Sequence, residues 1–490
     1  MKQDTILGRE SEKKTLKKVL ESKKAEFVAV YGRRRVGKTY LIREYFSLQS
    51  CLFFQVTGIK GAALSLQLNE FSREIGRTFY GKNVELKPPS NWMNAFQMLT
   101  DAIEQVGRKR KIVIFFDEFP WMALRKTKLL QALDYYWNRF WVSNPFLKVI
   151  VCGSAASWII KNILNSKGGL HNRVTMRLLI APFSLSETQI FLQNRGIRYD
   201  HYQVIQLYMC IGGIPYYLDM LEKGLSPTQN INQMCFQKKG TLFDEFNNLF
   251  VSLFTESEVH KSLIVFMSEK REGVSRVEIE SNLGFKGGRL TLKLTELEEA
   301  GFITSFLPWG HSQKGQYYKI IDEYVLFYLT WIAPFISLRT LDRLDNQFWI
   351  ETSQTPAWKA WSGLAFEALC FKHIHKIKKA LKIPSGSNAT TWKYIPKKND
   401  KNLEGAQVDL LFERNDGIIT ICEIKYSSKI YGIDKEYAKN IKNKIDLYKK
   451  ITKTEKQLFF SMITTFGVKE GVYKDELVNS EAVMGDFFLD

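Results

Sequence analysis

The eight residues Gly32-Arg33-Arg34-Arg35-Val36-Gly37-Lys38-Thr39 constrain this chain more than any other stretch. They fit GxxxxGK[ST] and directly follow a β-type run, Phe27-Val28-Ala29-Val30-Tyr31. Two glycines let backbone N–H groups wrap a polyphosphate, Lys38 neutralises its charge, and the Thr39 hydroxyl can hold Mg2+. Lys38 to Phe46 reads as the helix that follows, its positive N-terminal dipole pointing at the phosphates. Gly32, Arg33, Arg34, Arg35, Val36, Gly37, Lys38, Thr39 and Tyr40 are therefore the expected nucleotide-binding segment, against the plainer reading of a Gly/Arg-rich turn.

A loop of this kind hydrolyses ATP only with an acidic strand beside it, and Lys111 to Glu118 supplies an apolar run ending in two carboxylates. Asp117 would hold Mg2+ through water, and Glu118 would orient or deprotonate the attacking water. Taken alone, such a strand is more often structural. A third strand, Leu147 to Ser154, ends at the same edge of the inferred parallel sheet, where α/β folds place their chemistry. Ser154 is a candidate sensor of the γ-phosphate or the lytic water; a helix cap for Ala155 onward is the alternative.

In this order, GRRR-x-GKT, DE and GS, the chain resembles prokaryotic AAA+/STAND-type ATPases of the archaeal-ATPase group. Ile6-Leu7-Gly8-Arg9-Glu10 is similar to that family's GRExE-type element, which lines the adenine pocket. His171 to Thr175, Ala181-Pro182-Phe183 and Gly212-Gly213-Ile214-Pro215-Tyr216-Tyr217-Leu218 extend the likeness. The resemblance implies that Arg173 senses the γ-phosphate, with Arg139 and Arg177 as rivals, and that the Gly-Gly-Ile-Pro turn lets a helical lid meet the nucleotide.

At 490 residues the chain is long enough for three or four domains. Lys plus Arg number 70 against 51 Asp plus Glu, a net charge of +19, which favours a polyanionic partner such as nucleic acid or reflects a lysine-rich solvated surface. The six cysteines form no CxxC pair and read as reduced core residues. His373 and His375 point to different helix faces, so no zinc site is expected. The polar N-terminus and the absence of an apolar run of spanning length predict a cytoplasmic protein without a membrane segment; the most apolar run, Tyr324 to Leu338, reads as a buried helix.

From Glu256 to Tyr318 the pattern changes. Ser275 and Glu278 form a capping box, Leu290, Leu294 and Leu297 mark a helix that stops at Gly301, and Phe302–Phe306 can pair with Gln316–Ile320 around Trp309-Gly310-His311. That order is similar to a winged helix. Lys286, Arg289 and Lys293 would face outward on its second helix, but Glu296, Glu298 and Glu299 on the same helix make protein contact as reasonable as DNA reading.

Further on, Gln407-Val408-Asp409-Leu410-Leu411-Phe412 and Ile418 to Lys425 read as two strands carrying Asp, then Glu-x-Lys. This looks like the PD-(D/E)XK nuclease motif, a C-terminal domain that the ATPase family often carries; an inert hairpin is the plain alternative. The comparison implies that Asp409 and Glu423 ligate Mg2+, that Lys425 positions or deprotonates water, and that Glu367 on the preceding helix is a further ligand. Lys444 and Tyr448 have the spacing of the QxxxY element of one nuclease subgroup, with Lys in place of Gln.

The expected fold is thus α/β: a P-loop NTPase core with a parallel sheet (1–183), a helical lid (184–255), a winged-helix domain (256–340), a connecting helix (341–360, through Gln347 to Lys359) and a restriction-endonuclease-like α/β domain (361–490). The expected function is ATP binding and hydrolysis acting on DNA, with a Mg-dependent nuclease-like domain controlled by nucleotide state and, as a further expectation, nucleotide-dependent homo-oligomerisation. The alternative is an ATP switch whose C-terminal domain only docks DNA or protein.

Overall fold

The computed structural model describes residues 6–81, 84–107, 110–123, 127–164, 172–237, 240–254, 256–270, 273–307, 315–337, 347–396 and 405–489. The chain divides into two compact units. One comprises residues 1–183 with 214–216 and 251–255; the other comprises 184–213, 217–250 and 256–490.

The first unit is built on a parallel sheet of β1 (Glu26–Tyr31), β2 (Cys51–Thr57), β3 (Lys111–Asp117), β4 (Leu147–Cys152) and β5 (Met176–Leu179), in the order β2-β3-β4-β1-β5. Val28, Ala29, Val30, Val113, Ile114, Phe115, Val149, Ile150 and Val151 are all fully buried. Near-continuous apolar runs are what a sheet covered on both faces requires. On one face Phe71 stacks on Phe116, while Phe96 meets Phe116, Tyr136 and Trp141 edge-on. Truncating one such fully buried ring leaves a void and costs about 3–5 kcal/mol. The helix after β1 runs Lys38–Ser47, one residue beyond the expected end.

The second unit contains two further sheets. The smaller is antiparallel, ordered β6-β8-β7, from β6 (Val274–Ser275), β7 (Ile303–Phe306) and β8 (Tyr317–Ile320). Ile303 pairs with Ile320 and Phe306 with Tyr317, so the two expected strands do form a hairpin; its tip, including Trp309-Gly310-His311, lies outside the described residues. The Ser275–Glu278 capping box opens helix Arg276–Leu283, and Leu290, Leu294 and Leu297 are buried along helix Gly287–Glu299. Lys293, expected to face solvent, is instead 5% exposed, held by Glu256 at 2.9 Å and Glu296 at 3.1 Å. Its ammonium sits inside the domain because two carboxylates from separate segments offset the cost of burying it.

The larger sheet is mixed, in the order β13-β12-β11-β10-β9, from β9 (Asn388–Tyr394), β10 (Ala406–Glu413), β11 (Ile418–Lys425), β12 (Gln457–Thr464) and β13 (Ser480–Val483). β10 is antiparallel to β9 and β11, whereas β11–β12 and β12–β13 run parallel. The single connecting helix expected through Gln347 to Lys359 is two: Phe348–Thr352, then a break, then Pro356–Lys372. Thr355 caps the second through the Trp358 N–H, and Pro356 cannot donate the hydrogen bond that would continue the first. The expected buried helix from Tyr324 forms as one uninterrupted helical run, Glu323–Phe327, a π-helical turn Tyr328–Ile332 and Ala333–Ser337. Among the described residues, no helix is long and apolar enough to cross a membrane, and all six cysteines are free thiols.

Candidate functional site

The phosphate loop lies between β1 and the helix that starts at Lys38. Gly32 takes φ 142°, and a Cβ there would sit 2.3 Å from the Ile180 carbonyl oxygen, so only glycine fits against the end of β5. Gly37 takes φ 88° at the start of the helix. Arg35 also adopts a left-handed conformation, φ 69°, and its guanidinium lies 4.3 Å from the centroid of the Tyr216 ring. Lys38 Nζ donates to the carbonyls of Gly32 at 2.9 Å and Arg33 at 2.8 Å, which holds the ammonium inside the loop. Burial lowers its pKa; the nearby Cys152, Glu118 and Asp117 oppose that shift.

Because β4 lies between β1 and β3, the carboxyl edge of the sheet gathers the loop, the acids and the serine. Thr39 Oγ1 is 3.0 Å from both carboxylate oxygens of Asp117. Burial pushes the Asp117 carboxyl up from 3.8 to about 6, with Thr39 opposing and Glu118 adding. Glu118 does not continue β3; it turns into the left-handed region at φ 45°. There its Oε2 accepts hydrogen bonds from Ser154 N at 3.1 Å and Ser154 Oγ at 3.0 Å. The structure therefore brings Lys38, Thr39, Asp117, Glu118 and Ser154 together. A half-buried hydroxyl and a buried carboxylate in contact are hard oxygen donors that suit Mg2+.

Arg173, Arg139 and Arg177 are all exposed, while Tyr40 is 45% exposed beside Thr39. The arginine that engages the loop is Arg9, at 4% exposure. It donates to Val36 O at 3.0 Å, Ala181 O at 2.7 Å and Glu12 at 3.0 Å, and its guanidinium lies 4.6 Å from the Phe183 ring centroid. The sequence signal was the Gly8-Arg9-Glu10 element together with Ala181-Pro182-Phe183; what could not be read was that Arg9 joins the second element directly and also holds the loop through the Val36 carbonyl.

In the second unit, the register of β10 with β11 ends with Leu410 paired to Cys422, and Asp409 and Glu423 are the next residues of the two strands. Asp409 Oδ2 accepts from Ile424 N at 3.0 Å. Burial raises the Asp409 carboxyl and the Glu423 charge adds to it, as a nearby like charge does. Glu367, on helix Pro356–Lys372, is pushed from 4.5 to about 7 by burial and then by Asp409. Lys425 is raised: burial opposes this, and Glu423 and Asp409 outweigh it.

The expected three-carboxylate cage of Glu367, Asp409 and Glu423 is not assembled. Among the described residues, no three His, Cys, Asp or Glu side chains are gathered closely enough to hold an ion. Glu423 is 3% exposed and its oxygens are already engaged by Lys444, by Lys425 at 3.3 Å and by the Tyr437 hydroxyl at 3.1 Å. Two ammonium groups thus sit where the family comparison places a divalent cation, and the donor set does not fit one in this arrangement. Tyr448, one turn after Lys444, is fully buried edge-on against Trp392 and serves the core.

Residues 6–221 match the model of a family described as an ATPase domain predominantly from Archaea. A protein of Methanocaldococcus jannaschii is 26% identical over 383 residues, 77% of this chain and 79% of that one. Among solved structures, the Walker-type ATPase of Pyrococcus abyssi is 18% identical with a TM-score of 0.47, covering 66% of this chain and 96% of its own. The ORC2 protein of Aeropyrum pernix, in ADPNP–ADP complexes, is 12% identical with a TM-score of 0.39 over 69% and 98%. The family match and the geometry of the loop agree: residues 6–221 are similar to an ATPase domain, and the loop with Thr39 and Asp117 has the donors that a nucleotide phosphate and its cation need.

Proposed function

We propose that the protein is an ATP-hydrolysing switch that acts on DNA, with nucleotide state in the first unit controlling the second. The observation that carries the reading is the convergence of Lys38, Thr39, Asp117, Glu118 and Ser154 at one sheet edge. Lys38 would neutralise the phosphates, and Thr39 with Asp117 would hold Mg2+, which when bound offsets charge on the transferring phosphoryl group. Glu118, oriented by the two bonds from Ser154, would accept the proton of the attacking water. Arg9 would set the shape of the loop through Val36. Helix Gly287–Glu299 with the β6-β8-β7 sheet is read as a winged helix, and residues 361–490 as a nuclease-like fold that holds DNA.

The reading is tested by ATP binding and turnover in Lys38→Ala and Glu118→Gln. Lys38→Ala should lose Mg-dependent nucleotide uptake. Glu118→Gln should keep uptake and lose about 100-fold or more in turnover. Turnover surviving in Glu118→Gln would remove this carboxylate from the mechanism.

Cleavage of DNA by the second unit is a second reading, favoured by Asp409, Glu423 and Lys425 facing one cavity. It is tested by a DNA-cleavage assay, run with and without Mg2+, on the unaltered protein, Lys425→Ala and Glu423→Ala. Cleavage by the unaltered protein that both substitutions abolish would establish it; no cleavage by the unaltered protein would leave the domain a binding module.

A further inference from the structure

The carboxylates and lysines around Glu423 open into a cavity of about 1150 Å³ whose walls come from both sheets of the second unit. Phe306, Tyr317 and Lys319 of the hairpin form one side. Lys393 on β9, with Asn443 and Lys444 on helix Lys435–Thr452, line it as well. The hairpin is fastened in two places, once to the larger sheet and once to helix Pro356–Lys372. Thr390 Oγ1 donates to Leu307 O at 2.6 Å, and Lys319 Nζ lies 4.7 Å from the Phe371 ring centroid, one helical turn after Glu367.

We propose that this cavity binds single-stranded DNA, and that the hairpin serves as one wall of the binding site. The inference rests on the reading of the protein as DNA-acting and adds the form of the substrate. The size is the first argument, since pockets for small molecules run to about 1,000 Å³ and this one is larger. The lining is the second. Half-buried aromatic rings at Phe306 and Tyr317 beside the ammonium groups of Lys319 and Lys393 combine base stacking with phosphate neutralisation, the chemistry that holds an unpaired strand.

The third argument is what helix Gly287–Glu299 does not offer. Lys293 is buried between Glu256 and Glu296, Arg289 is paired with Glu256 at 2.7 Å, and Glu298 accepts from Ser305 N at 2.7 Å. A helix whose cations are matched by its own domain's acids is poorly equipped for the grooves of a duplex.

The test is fluorescence anisotropy on the full chain, nucleotide-free and in EDTA, with a short labelled oligo(dT) and with a duplex of the same length. The strand should bind more tightly than the duplex. Lys319→Gln and Lys393→Gln, from opposite sheets, should each weaken strand binding about 5-fold and reduce the slope of log affinity against log salt by about 0.7. Tyr317→Leu should weaken it about 5-fold without changing that slope. The paired change Lys286→Gln and Arg289→Gln should leave it unaltered. Unchanged melting temperatures of the wall variants would separate loss of contact from loss of fold. Tighter duplex binding that depends on Lys286 and Arg289, or strand binding indifferent to all three wall variants, would overturn the proposal while leaving a DNA-acting protein. Failure to bind either nucleic acid would overturn both.

Discussion

Replacing Asp117 by Asn should stabilise the nucleotide-free protein at alkaline pH while abolishing ATP turnover. In the unfolded chain the carboxyl ionises at its ordinary 3.8, whereas in the folded protein burial holds it to about 6. Folding therefore binds the proton more tightly, so the contribution to stability is complete below 3.8, falls as pH rises, and is fully lost above about 6. Two pH units correspond to about 3 kcal/mol. Asparagine escapes that loss but weakens the contact with Thr39, about 1 kcal/mol, leaving a net gain of about 2 kcal/mol near pH 8. Near pH 4.5 the ionisation cost is about 1 kcal/mol and the two effects cancel. For a domain of this size 2 kcal/mol moves the melting temperature by about 4–8 °C. Calorimetric melting in EDTA, without nucleotide, reads the difference. An equal offset at both pH values, or a more stable unaltered protein on the alkaline side, would refute the claim that Asp117 is held in the loop at a cost that Mg2+ and nucleotide relieve.

Arg9→Ala removes the donor to Val36 O and Ala181 O, and should cost about 2–4 kcal/mol of stability in thermal melts and weaken ATP binding in calorimetry. Gly32→Ala forces a Cβ onto Ile180 O at a φ that alanine rarely adopts, so the variant should fold its sheet but lose nucleotide binding, measured by circular dichroism and by nucleotide titration. Glu367 behaves as Asp117 does, from 4.5 to about 7: its favourable contribution is present below 4.5 and lost as pH rises through 7. Glu367→Gln should therefore melt higher than the unaltered protein above pH 7, by up to about 2 kcal/mol after solvent screening, and equally near pH 4.5.

Local signals in the sequence located several of the strands, whereas β2, β5, β6, β12 and β13 carried no expectation. Ile418–Lys425 forms β11 over the expected span, and the five residues Phe27–Tyr31 needed only Glu26 to complete β1. These runs are read by burial on both faces, which leaves a strong apolar imprint. The break after Thr352 was missed, although Thr355-Pro356 is the local signal of a helix start that marks it. Lys293 could not be placed from sequence because its partner Glu256 lies far back in the chain, and outward heptad position predicts solvent unless that acid is known. The left-handed turn at Glu118 was hidden for a related reason: Asp117 and Glu118 look alike as neighbours, and only the Ser154 contacts show that one ends the strand and the other leaves it. At the second site the types Asp, Glu and Lys were visible, but the ion pair from Lys444 depends on how helix Lys435–Thr452 packs over β11.

The Arg9 clamp has a practical corollary for anyone shortening the polypeptide. A version beginning just past that guanidinium would keep the whole GxxxxGK[ST] signature, every strand of the parallel sheet and both acids, and would look complete by any motif search. It would nevertheless enter solution with two carbonyl acceptors stripped of their donor and the phosphate cradle loosened from the far edge of its sheet, so the inactivity of such a fragment would be an artefact of trimming and would say nothing about the intact protein.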